Sequence, residues 1–68
     1  MNNASEVARL KEHITSEYEA AQSAMHGPSQ GSATHQFVTV RMERMYADLA
    51  ELVAIAGEEA MIEALKSL

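Results

Sequence analysis

Val38, Met42, Met45, Leu49, Leu52 and Ala56 recur along the chain at spacings of 4, 3, 4, 3 and 4 residues. That spacing is a heptad seam, and it places all six side chains on one stripe of an α-helix. A strand would need alternation with a period of two. The only trace of that is QFVTV, residues 36–40, which is too short and isolated to pair into a sheet. A second stripe lies upstream, where Val7, Leu10, Ile14, Tyr18, Ala21 and Met25 follow one another at spacings of 3, 4, 4, 3 and 4. Between the two stripes the chain reads GPSQGS, residues 27–32. Gly27 supplies the left-handed conformation that closes a helix, and Pro28 cannot continue helical hydrogen bonding. Two amphipathic helices joined by a short turn become antiparallel neighbours. The fold class read from this pattern is all-α, an antiparallel helical hairpin followed by a short C-terminal helix.

The punctuation sets the boundaries within a single helical domain spanning 1–68: a helix over 4–26, a turn over 27–32, a helix over 33–56 and a helix over 58–67. Asn3 and Glu6 have the spacing of a capping box for the first helix. Ser32 is the expected N-cap of the second, with Thr34 as the alternative. Gly57 ends or kinks the second helix. Glu58 and Glu59 open the third at its positive end and Lys66 lies near its negative end, as the helix dipole prefers. The apolar side of this helix is read as Met61, Ile62, Leu65 and Leu68. Folding the chain about residues 29–30 sets Ile14 against Met45, Tyr18 against Met42 and Leu10 against Leu49, apolar against apolar throughout.

Phe37, Tyr46 and Val53 widen one side of the second helix's seam, so that it can touch two neighbours. A chain of 68 residues has room for one small core, and such chains usually draw further stability from disulfides, metals or oligomers. With no cysteine, disulfides and thiolate metal sites are excluded. The expected outcome is a homodimer in which two hairpins form a four-helix-type bundle. A monomeric three-helix bundle is the competing arrangement.

Ten acidic residues face five Lys and Arg, a formal net charge of −5, and the basic residues are scattered. A nucleic-acid binder wants a basic stripe, so DNA and RNA are not expected partners. An anionic membrane surface is disfavoured on the same ground. The longest apolar run, LVAIA at 52–56, is far too short to span a bilayer. MNNASEVARL does not have the pattern of a signal peptide. These features together predict a soluble, cytoplasmic protein.

Chemistry-bearing residues are few. His26 and His35 bracket the turn and could line a polar site at the hairpin neck. The plainer reading makes His35 a partly buried histidine at the start of the seam. A metal normally takes three or four protein ligands. No carboxylate occurs between Glu19 and Glu43, and His13 is nearly four turns from His26, so no metal site is expected within one chain. Glu17 and Arg41 fall on the flanks of the two stripes. They read as an interhelical ion pair that sets register, or, with Tyr18, as part of an anion pocket. Met42, Met45 and Met61 occupy core positions, where flexible methionines fill irregular space. The nucleophile elbow, the phosphate loop and the H-E-x-x-H zinc motif are all absent. Neither a catalytic residue nor a cofactor is expected.

The run HQFVTVRMERM, residues 35–45, resembles a segment of small uncharacterised bacterial all-helical proteins, in which a histidine, an aromatic residue and an Arg-Met-Glu run follow a glycine-containing turn. The matching positions are His35, Phe37, Thr39, Arg41, Met42 and Glu43, and EYEAAQ and GEEAM on either side are similar too. The resemblance implies a short helical protein and carries no activity. The functional expectation is a non-enzymatic homo-oligomer that acts as a protein-protein interaction or regulatory module. The alternative is a bundle that binds a small ligand or metal through the neck residues His26, His35, Tyr18 and Arg41.

Overall fold

Two long helices and a short one make up the chain in the computed structural model, which describes residues 4–26 and 32–68. Helix α1 spans Ala4–His26, α2 spans Ser32–Ala56 and α3 spans Glu58–Lys66. Among the described residues there is no strand. The bounds follow the sequence expectation to within one residue. The Asn3 cap, the Ser32 side chain and the Gly27–Gly31 turn lie outside what is described. Good helix formers dominate each segment. The two threonines whose hydroxyls bond back to the preceding turn, Thr15 to the Lys11 carbonyl at 3.0 Å and Thr39 to the His35 carbonyl at 2.9 Å, do not interrupt it.

α1 and α2 pack along their length as a hairpin, and α3 folds back mainly onto α2. The core is one cluster of Leu10 and Ile14 from α1, Met45, Leu49 and Leu52 from α2, and Ala64 from α3. Leu10, Ile14 and Leu52 are fully buried. Tyr18, Met42 and Val7 pack against this cluster from the edges, together with Ile55, Ala60 and Met61. The expected hairpin partners therefore share one core, with Val38 half-buried at the neck end of the seam.

Two expectations for the C-terminal end are corrected. α3 turns Ala60, Met61 and Ala64 inward, and leaves Ile62, Leu65 and Leu68 exposed. Both stripes are compatible with the helical period. Alanine has little hydrophobic weight in a sequence pattern, but its small size allows a close approach of two helices. Ala56, expected to close the seam, is exposed, and Ile55 packs instead. Position 56 lies at the start-of-α1 end of the hairpin, where Ala4 and Ser5 are exposed as well.

Gly57 makes the reversal between α2 and α3. Its φ of 88° and ψ of 170° lie in a region that is essentially confined to glycine. Its N–H donates to the Val53 carbonyl at 2.9 Å, which completes the last turn of α2. An added Cβ would meet nothing within 4 Å, so the need for glycine comes from the torsions and not from crowding. No helix is long and apolar enough to cross a membrane among the described residues.

Leu52→Ala and Leu10→Ala should each lower stability in urea denaturation by about 2–5 kcal/mol, as expected for fully buried leucines. Ile62→Ala on the outer face of α3 should cost under about 1 kcal/mol. Gly57→Ala should cost about 1–3 kcal/mol through backbone strain alone.

Candidate functional site

One flank of the hairpin interface is polar, and it is built from both long helices. His13 and Glu17 are one turn apart on α1 and share a face. Arg41 and Asp48 are two turns apart on α2, beside the seam residues Met42, Met45 and Leu49. The antiparallel register that buries Ile14 with Met45 brings these four side chains together. Arg41 Nη1 donates to Glu17 Oε2 at 3.1 Å. His13 Nδ1 lies 3.7 Å from Asp48 Oδ2. His13, Glu17 and Asp48 each offer one ligand atom, and the three atoms lie within 4.8 Å of one another. Glu17 is the most enclosed of the group, with 12% of its side chain exposed, against 54% for His13. The guanidinium of Arg41 also stands over the Phe37 ring, 4.8 Å from its centroid, so the cation is held between an aromatic face and a carboxylate.

The Glu17–Arg41 pair thus has the interhelical geometry of a register clamp. Tyr18 has a different role from the anion pocket considered above. Its hydroxyl accepts a hydrogen bond from Gln22 Nε2 at 2.6 Å, and Gln22 Oε1 lies 3.2 Å from His26 Nε2. These three side chains form a ladder along α1. His26 is exposed. His35 is exposed as well, not partly buried as the seam pattern suggested, because the last part of the seam towards the neck carries only half-buried Val38. Among the described residues no hydrogen bond or ion pair joins the two histidines to each other, to Arg41 or to Glu17.

The group the sequence reading missed is His13 with Asp48. Counting ligands near the turn excluded His13 as too distant along its own helix. Distance along one helix does not measure proximity in a hairpin, because Asp48 meets His13 from the neighbouring helix α2. The signal was available: His13 and Glu17 share a helix face, and the fold-back register sets both against the 41–48 stretch of α2.

Farther along the same flank, Arg9 Nε donates to Glu6 Oε1 at 2.7 Å. That hydrogen bond holds the Glu6 carboxyl below the usual carboxylate range, and Glu6 raises Arg9 in return. A lowered carboxyl favours the folded state above its unfolded pKa, and the effect is lost as the pH falls through the folded value. Both side chains are about half exposed, so solvent screens the pair.

No family model, curated protein or solved structure matches this chain.

A double-mutant cycle on Glu17→Gln and Arg41→Gln should give a favourable coupling of about 0.5–1 kcal/mol in thermal or urea unfolding. High salt should shrink it. Additive single-mutant effects would show that the pair does not hold the register.

Proposed function

We propose that the protein is a non-enzymatic helical interaction module that works as a self-associated pair of hairpins, a four-helix-type bundle. The observation that carries this reading is Tyr46. It lies on the widened edge of the α2 seam next to Met42 and Val53, yet 60% of it is exposed. Ile62 and Leu65 on α3, with Phe37 and Val40 on α2, add further large apolar side chains at the surface. Large apolar side chains left uncovered beside the seam are what a second hairpin would cover, and exposed apolar surface is a common mark of an interface.

The occupant in this reading is a second copy of the chain. The core of one hairpin is small, and association is the usual additional source of stability for a cysteine-free chain of this length. Regulation would then act through the monomer–dimer balance, with any further protein partner engaging the assembled bundle.

Sedimentation equilibrium at micromolar concentration should give the mass of two chains. Tyr46→Glu should shift that mass to one chain while retaining helical circular dichroism. A wild-type mass of one chain under these conditions would overturn the reading.

A further inference from the structure

We propose that His13, Glu17 and Asp48 form a binding site for a first-row divalent transition ion such as Zn²⁺, one per chain, that bridges α1 and α2. The donor set is mixed, one imidazole and two carboxylates, which suits such ions. All three residues come from the rigid helical part of the fold, and Glu17 and Asp48 have only 12% and 18% of their side chains exposed.

The geometry can be checked against coordination chemistry. Two ligands bonded to one zinc at about 2.1 Å each cannot be more than about 4.2 Å apart, and tetrahedral angles put them near 3.4 Å. His13 Nδ1 and Asp48 Oδ2, at 3.7 Å, already meet that limit. The widest separation in the triad is within 4.8 Å, so reaching the tetrahedral spacing takes a closure of up to about 1.4 Å, shared between two side chains. His13, which is half exposed, has the rotamer freedom to supply it.

Electrostatics favours a cation here. The carboxylates of Glu17 and Asp48 converge on one spot, and a dication relieves their repulsion. Arg41 neutralises part of that charge, but it engages Glu17 through Oε2. A carboxylate has lone pairs for both a guanidinium and an ion, so Arg41 would then orient the ligand from outside, as outer-shell partners of metal-bound carboxylates do. Three protein donors leave coordination positions for water. The ion would tie the middle of α1 to the middle of α2, close to Ile14 and Met45.

The test is isothermal titration of the full-length chain with ZnCl₂, paired with its melting temperature. The expected result is one Zn²⁺ per chain and a raised melting temperature, because an ion that binds only the folded state stabilises it. MgCl₂ should leave the melting temperature unchanged, since Mg²⁺ prefers oxygen ligands and retains its water. His13→Ala and Asp48→Asn should each weaken Zn²⁺ binding at least roughly tenfold. Both variants should keep wild-type helical circular dichroism, since His13 is exposed and Asn is isosteric with Asp. The double variant His26→Ala/His35→Ala should bind as wild type does. No heat with Zn²⁺, binding that survives His13→Ala, loss of binding in the His26/His35 variant, or one ion per two chains would each overturn the site.

Discussion

Everything in this small protein depends on the register between two apolar stripes. Leu10 and Ile14 on α1 meet Met45, Leu49 and Leu52 on α2, and these side chains supply nearly all of the buried core. Because the two helices are antiparallel, one alignment of the stripes also fixes which polar residues face one another along the flank. The core and the polar cluster are thus consequences of a single geometric choice. A shift of one helical turn would bury part of the charged flank and expose part of the core, and both changes are unfavourable.

The same register sets a polar flank beside the core. Arg41 is held by the Phe37 ring and the Glu17 carboxylate together, and His13 approaches Asp48 farther along the same edge. Ion pairs at this degree of exposure add little net stability. In a shifted alignment Glu17 would lose its cation inside a partly buried environment. The same convergence of charged side chains carries the proposed ion site.

Much of the fold was readable from the order of residues. The spacings of Val7 to Met25 and of Val38 to Leu52 implied two helices, and Gly57 implied the break before the third. The Glu17–Arg41 contact followed from folding one stripe against the other. Features set by packing were not readable. The inward face of α3 was mistaken because Ala60 and Ala64 carry little hydrophobic signal, while Ile62, Leu65 and Leu68 carry much. The His13–Asp48 approach is invisible to spacing along one helix, because it joins residues of two helices.

The linear pattern, then, was enough for helix number, helix bounds, the antiparallel hairpin and the residues of its central core, since periodicity and helix punctuation are local properties. The rotational phase of α3, the exposure of Tyr46 and the gathering of His13, Glu17 and Asp48 into one place came from packing. Each depends on how close two helix backbones approach and on which face a neighbour leaves uncovered. Those are properties of pairs of elements, set by side-chain size and by the Gly57 torsions, and no single stretch of sequence contains them.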